Sequence, residues 1–403
     1  MVNTVNNNKK EKIVTDLFKA YFDARKNKRS TLNALAFEKY FESNIFELAD
    51  EIIENRYVIK PSICFIVKKP VKREIFDADF RDRVVHHFIY NYIAPLFEKV
   101  FINDSYSCRK GKGTHYGIKR VDHFIRSCSQ NYSKEAYILK LDIKGYFMAM
   151  NKSLLYEKTV SVISRFENTI DFDLTLILNL IRQTIFNDPC NNCIVKGKRS
   201  DWKGLPKSKS LFHANENCGL PIGNLTSQLF GNVYMNDFDH FVKRDFDIRY
   251  YGRYVDDFVL IHNSREYLKS LIPKIADYLQ TELKLTLHPD KIYLQDIRKG
   301  VKYLGAVIKP HRKYIANRTK GNFYKTVLNH NKIARDHKPL KEEQNAFLSS
   351  VNSYLGLMQH YKTFKERKEM VNKNISAWWW NYFYVKEYMK LMCKVKTDKS
   401  NTY

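Results

Sequence analysis

Three aspartates stand where they could do chemistry. Asp142 closes the apolar run Ala136-Tyr-Ile-Leu-Lys-Leu-Asp142, and Asp256-Asp257 sit at a turn between two more apolar runs. Such runs read as interior strands, where a charge is costly unless it is paired or bound to a metal. Carboxylate oxygens suit hard cations, Mg2+ first and Mn2+ second. Two such ions, about 3.5–4 Å apart, would clamp the attacking and leaving oxygens of an in-line phosphoryl displacement. One would lower the pKa of a 3′-hydroxyl, and the other would neutralise a departing pyrophosphate. The competing reading is local: turn chemistry for Asp256-Asp257 and a helix N-cap for Asp142. That reading leaves the charge of the chain unexplained. The 403 residues include 69 Lys and Arg against 43 Asp and Glu, a net charge of +26. A field of this sign attracts polyanions, nucleic acid foremost. The 27 Tyr and 26 Phe supply rings that can stack on bases while cations hold phosphates.

The elements that must position the aspartates follow from periodicity. Apolar residues recur at helical spacing over residues 12–25, 38–55, 83–100, 174–186 and 268–283. Strand alternation is expected at 57–61, 62–68, 136–142 and 301–308, and as two strands closing on a turn over 249–262. Residues 197–219 form a basic loop, and 221–242 begin as a loop and become a helix. After Pro310 the chain reads as helical and basic throughout. The order strand, helix, strand–turn–strand, helix, strand suits a ferredoxin-like split βαβ unit within an α+β fold. Three regions are expected: a polar tail and helix over 1–30, a central domain over 31–310 and a basic helical region over 311–403.

The start of the chain carries no apolar signal region, and no run of about 18 apolar residues is present, so no membrane association is expected. Seven scattered cysteines suit reduced thiols in a cytoplasm. Cys190, Cys193, His213 and Cys218 could hold zinc, although the second pair lacks the usual ligand spacing. Arg109-Lys-Gly-Lys-Gly-Thr-His115 lacks the spacing of a phosphate-binding P-loop, and its cations are expected to follow nucleic-acid backbone instead. Trp378-Trp-Trp380 is expected to be core rather than a docking patch.

Taken together, the boxes resemble those of reverse transcriptases. Tyr254-Val-Asp-Asp257 looks like the family's YxDD box, and Leu141-Asp-Ile-Lys-Gly-Tyr-Phe147 looks like its first carboxylate motif. Gly219-Leu-Pro-Ile-Gly-Asn-Leu-Thr-Ser-Gln-Leu-Phe230 looks like the template-contacting motif between them. The likeness runs from about Tyr57 to Gly305. It implies a right-hand polymerase with fingers, a ferredoxin-like palm and an α-helical thumb, copying template RNA into cDNA from deoxynucleoside triphosphates. It also implies metal held by Asp142, Ile143, Asp256 and Asp257. Within the superfamily the match is similar to bacterial, group II intron-like enzymes of diversity-generating retroelements. Arg81-Asp-Arg-Val-Val-His-His87, residues 103–115 and Ile222-Gly-Asn-Leu-Thr-Ser-Gln228 point there. Most relatives carry Gln where this chain has Ile222, and Pro where it has Gln228. That family works with a small basic accessory protein and copies adenines with errors.

The resemblance assigns further roles. Phe147 matches the steric gate against a 2′-hydroxyl. Arg73, with Lys69 as a weaker candidate, resembles the triphosphate grip, and a planar guanidinium suits phosphate. Lys291 looks like the lysine that protonates pyrophosphate. Ile222, Gly223, Gln228 and Tyr254 fall in the substrate-contacting boxes. Ile222 offers no hydrogen bond to police base pairing, which would weaken discrimination. Two alternatives remain open at this point: another bacterial reverse transcriptase, such as one in antiphage defence, or a catalytically idle RNA-binding protein with a polymerase fold.

Overall fold

The computed structural model describes residues 2–26, 28–29, 31–68 and 71–394. In chain order the elements begin with helices α1 (Val2–Arg25), α2 (Leu32–Glu38) and α3 (Phe41–Ile53). Strands β1 (Ser62–Val67) and β2 (Arg73–Asp77) precede α4 (Phe80–Val100) and α5 (Thr114–Cys128). Strand β3 (Tyr137–Asp142) leads to the single turn α6 (Tyr146–Ala149), then α7 (Lys152–Ser164), α8 (Leu174–Phe186) and the short β4 (Cys193–Val195). Helices α9 (Leu225–Tyr234) and α10 (Asn236–Arg244) precede the hairpin β5 (Tyr250–Tyr254) and β6 (Asp257–His262). Next come α11 (Arg265–Thr281), β7 (Tyr293–Asp296), β8 (Val301–Tyr303), β9 (Ala306–Lys309) and β10 (Arg312–Ile315). The chain closes with α12 (Asn317–Asp336), α13 (Lys341–Met358), α14 (Phe364–Asn374), β11 (Phe383–Lys386) and β12 (Lys390–Cys393). The fold is α+β, as the element order predicts.

The chain divides into two compact units, Met1–Gly113 with Leu139–Leu294, and Thr114–Ile138 with Gln295–Tyr403. Helix starts in the first unit are set by local capping. Asn151 accepts from the Leu154 N–H, Asp173 from Leu176 and Ser264 from Tyr267, each satisfying an orphan donor of the first turn. Helix α3 turns Ile45, Leu48, Ala49 and Ile52 inward at helical spacing. The sheet that carries the aspartates has the order β5-β6-β3-β7, the order of a ferredoxin-like unit. A second sheet, β2-β1-β4, pairs β1 antiparallel to β2 and parallel to β4.

Under the β5–β6 hairpin lies a buried ion pair. Arg253 and Asp239 are both essentially inaccessible, with the guanidinium Nη2 2.7 Å from Asp239 Oδ2 and Nε 2.8 Å from Oδ1. The Tyr251 hydroxyl donates to the same carboxylate at 2.6 Å. Burial opposes the charge on Arg253, and the Asp239 carboxylate more than restores it, so its pKa is raised.

The second unit has its own core. Trp379 is fully buried and stacks on Phe347 at 3.9 Å with an interplanar angle of 7°, while Phe383 lies at 6.2 Å. Its neighbour Trp378 is exposed, so the tryptophan run is core at one position and surface at another. Helix α5 belongs to this unit: Asp122 pairs with Lys313 at 2.9 Å, and the His115 ring lies 3.7 Å from that of His360.

The sequence reading is corrected at several places. The N-terminal tail is already helical from Val2. Residues 57–61 form no strand: the Lys60 N–H is taken by the Asp82 carboxylate at 2.8 Å, and Pro61 has no N–H to offer a ladder. The strand expected over 301–308 is a hairpin, turning at Leu304 and Gly305, both with positive φ. The region after Pro310 is not helical throughout. It holds β10 and ends in the β11–β12 hairpin, where Phe383 and Val385 alternate with exposed Tyr384 and Lys386 and the turn uses Glu387 and Tyr388 at positive φ. Among the described residues no helix is long and apolar enough to cross a membrane.

Truncating one member of a buried pair strands the other charge, at a cost of about 3–5 kcal/mol. Asp239→Ala is therefore expected to lower unfolding stability by that amount in a denaturant titration. Replacing both residues by apolar ones, Arg253→Met with Asp239→Leu, is expected to recover much of the loss.

Candidate functional site

Asp142 is the last residue of β3 and is buried, whereas Asp256 and Asp257 lie half-buried at the β5–β6 turn. The turn itself is unusual: Val255, a β-branched residue, has φ +58°. The left-handed region is unfavourable for such a residue, so surrounding contacts must hold it there. Arg253 Nη1 donates to the Val255 carbonyl at 3.0 Å, and the Ile143 N–H reaches the Asp256 carbonyl at 3.3 Å. Strand β3 and the hairpin are thus joined by backbone at the level of the three carboxylates.

The electrostatics place these groups within reach of one another. Burial first, then the charges of Asp142 and Asp257, push the Asp256 carboxyl up to about 6. Burial also raises Asp257, against the opposing effect of Lys140. Two lysines neutralise the cluster. Lys291 Nζ lies 2.7 Å from Asp142 Oδ1, and Lys140 Nζ lies 3.2 Å from Asp257 Oδ1. Lys291 is set by the loop after α11, where the His288 N–H donates to the Asp142 carbonyl at 2.8 Å.

Among the described residues no group of three or more His, Cys, Asp or Glu side chains is gathered to hold a metal ion as it stands. The donor set nonetheless fits a divalent cation. Three carboxylates repel one another here, two have raised pKa values, and hard oxygen donors are what Mg2+ takes. The suggested zinc set does not assemble. Cys190 and Cys193 instead neighbour Cys64, whose thiol is raised by burial and then by surrounding charges, whereas Cys218 pairs with Asn151.

The remaining candidates fall into two groups. Phe147 and Ile222 both pack on one apolar cluster of Cys64, Phe76, Met148 and Leu211. The Phe76 N–H donates to the Ile222 carbonyl at 2.9 Å, and the Leu220 N–H to the Phe147 carbonyl at 2.8 Å. Gly223 is required beside them, because its φ is +133° and a Cβ would lie 2.8 Å from the Phe76 carbonyl. Arg73 is exposed at the start of β2, on the strand that carries Phe76. Gln228 is exposed on α9, and Tyr254 ends β5 opposite Asp257. Lys69 lies outside the described residues.

Arg109 was expected among cations that follow nucleic acid, and the structure corrects this. It is buried and binds Glu98 Oε2 at 2.7 Å and the carbonyls of Ile102 and Ser105. The sequence reading also missed Lys140, Arg253 and Asp239. Lys140 carries a legible signal, since it stands two residues before Asp142 and so on the same face of β3. Asp239 carries none, because it reads as an exposed helical acid.

A family model described as reverse transcriptase (RNA-dependent DNA polymerase) matches residues 68–308. The chain belongs to the reverse transcriptase family. Protein YkfC of Escherichia coli (strain K12) is 23% identical over 297 residues, 64% of this chain and 69% of that protein. Among solved structures, an apo telomerase from Candida tropicalis, truncated from its C-terminal domain, has a TM-score of 0.45 at 15% identity. That match covers 68% of this chain and 60% of the telomerase chain. Telomerase from Candida albicans, solved with a fragment of telomeric RNA, has a TM-score of 0.44 at 12% identity, covering 84% of this chain and 59% of that one. The chain spans less than two thirds of the length of these telomerase chains.

Helix α9, which follows the Ile222–Gly223 turn, rests on a buried histidine. His86 shares a 2.8 Å hydrogen bond with Thr226, and burial, then the charges of Arg83 and His87, hold its pKa down to about 3. The unfolded chain binds this proton below about pH 6.5 and the folded chain only near pH 3, so the stabilisation is lost as pH falls through that window. His86→Gln is expected to flatten the pH dependence of unfolding between those limits. The wild type should lose of the order of 4 kcal/mol more than the variant, as read by denaturant titration at stepped pH.

Proposed function

We propose that this chain is an RNA-directed DNA polymerase that copies a template RNA into cDNA. The observation that carries the reading is the placement of Asp142 at the end of β3 and of Asp256-Asp257 at the β5–β6 turn, on neighbouring strands of a ferredoxin-like sheet, in a chain of the reverse transcriptase family. Divalent cations, Mg2+ by the hardness of the donors, would activate the primer 3′-hydroxyl and neutralise the departing pyrophosphate. Asp142, Asp256, Asp257 and the backbone of Ile143 would hold them. Lys291, parked on Asp142, delivers the proton that the leaving pyrophosphate needs. Lys140 opposes the rise that burial imposes on the Asp257 carboxyl. Arg73 and Lys69 grip the triphosphate. Phe147, packed against the Ile222 cluster, meets the sugar and selects against a 2′-hydroxyl. Gly223, Gln228 and Tyr254 line the path of base and sugar.

The template end of the reading is finer. Ile222 presents an aliphatic side chain where a polar one could test pairing geometry, and it is held by an apolar cluster that leaves it no hydrogen-bonding partner to lend. This favours error-prone copying, and the sequence resemblance extends the reading to adenines and to a bacterial diversity-generating retroelement, working in the cytoplasm with a small basic accessory protein.

Primer extension on an RNA template tests the polymerase. Asp256→Ala is expected to lower the rate about a thousandfold or more, the scale on which loss of an electrostatic stabiliser acts. Equal activity would remove the enzyme reading and leave an RNA-binding protein. Sequencing the cDNA from Ile222→Gln tests fidelity. Misincorporation opposite adenine should fall about tenfold, as expected when a polar contact worth about 1–2 kcal/mol is restored. An unchanged error spectrum would remove Ile222 as the cause.

A further inference from the structure

The segment of residues 187–213, which follows α8, has no role in the chemistry above, yet it is firmly anchored. It first adds β4 as a parallel neighbour of β1, then runs through one-turn helices at Arg199–Trp202, Lys207–Lys209 and Leu211–His213. Lys196, Lys198, Arg199, Lys203, Lys207 and Lys209 all point to solvent. The one acid within this run is Asp201, and its carboxylate is already taken by Lys68, from outside the run, at 2.7 Å. Phe212, beside the lysines, is 42% exposed.

A run of lysines is most often a merely solvated loop. Such a loop has no need of a buried anchor, and this one has one. Glu74 on β2 is 1% exposed, and its carboxylate accepts from the Trp202 indole N–H at 2.6 Å, the Ser210 hydroxyl at 2.7 Å and the Leu211 backbone N–H. A buried carboxylate is tolerated only when so satisfied. Lys72 Nζ adds a contact to the Lys203 carbonyl at 2.6 Å, and Leu211 enters the cluster of Phe76 and Met148. The foot of the loop reaches the candidate site. Gly145, at φ +61°, lies so close to the Ser208 carbonyl that a Cβ would sit 2.8 Å from it. Gly145 stands between Asp142 and Phe147. The cations are therefore held on a fixed frame that touches the turn linking the first carboxylate to the proposed sugar gate.

We propose that this pinned loop is a binding surface for the phosphate backbone of single-stranded RNA. The identity of the polyanion rests on the polymerase reading, while the surface rests on the loop itself. Cations on an anchored loop match a regularly charged strand without paying loop ordering at the moment of binding. The exposed Phe212 ring offers a stacking platform among them. An anionic membrane surface is the competing partner, and the test separates the two.

The full-length chain is titrated with a labelled single-stranded RNA oligonucleotide across a salt series. Each cation that neutralises a phosphate contributes about 0.7 to the slope of log affinity against log salt. K203Q/K207Q/K209Q is expected to bind about tenfold or more weakly near physiological ionic strength and to lose about two units of that slope. K203R/K207R/K209R, which keeps the charge, should bind as the wild type does. An unchanged affinity and slope in the glutamine variant would overturn the proposal. So would unchanged RNA binding accompanied by lost binding to phosphatidylserine vesicles. Primer extension by the wild-type chain decides the polymerase reading separately, since the oligonucleotide titration requires no catalysis.

Discussion

The hairpin that carries two of the three aspartates stands on one ion pair. Arg253 is on β5 itself, one residue before Tyr254, and Asp239 reaches it from α10. The guanidinium does more than neutralise its partner. It donates to the Val255 carbonyl and reaches Asn232 and Ser105 at 3.4 Å, tying the turn to α9 and to the loop after α4. On the backbone, the Arg253 N–H donates to the Asp104 carbonyl and its own carbonyl accepts from Tyr106, both at 2.9 Å. A β-branched residue at positive φ costs about 1–3 kcal/mol, and this web is what keeps Val255 there. The strain is stored beside the carboxylates, where it fixes their direction.

The same logic runs through the charges above the hairpin. Three carboxylates at the ends of neighbouring strands would repel one another, and two lysines from different elements absorb that repulsion. Lys140 shares β3 with Asp142, while Lys291 comes from the loop after α11. Their exposure differs from that of Arg253: Lys291 is nearly half exposed, so its pairing with Asp142 is cheap to break. A buried pair holds the frame, and exchangeable pairs hold the reacting groups.

Much of this was legible in the sequence, for definite reasons. Strand β3 and the β5–β6 hairpin were readable because apolar runs ended in carboxylates, and α8 because its apolar period is clean and Asp173 caps it. The boxes that carry the family resemblance are local in sequence, and the family match covers nearly the span they imply. What could not be read depends on pairs far apart in the chain. Asp82 taking the Lys60 N–H out of any ladder, Arg109 turning inward to Glu98 and Glu74 pinning a loop more than a hundred residues away all look like ordinary surface charges in sequence. The terminal β11–β12 hairpin had a readable two-residue alternation, but the basic helices before it set the expectation.

The second unit is assembled from two stretches of chain, one ending at Ile138 and the other beginning at Gln295. On a ribosome, α5, with Ile118, Val121, Phe124 and Ile125 to bury, emerges long before α12–α14 of the same unit. At ordinary elongation speeds α5 waits on the order of ten seconds for the rest of its unit. The first unit, by contrast, holds all its residues once Leu294 has been made. Nascent chains should therefore complete the carboxylate-bearing half first and depend on a chaperone, or on early capture of α5, to reach the rest.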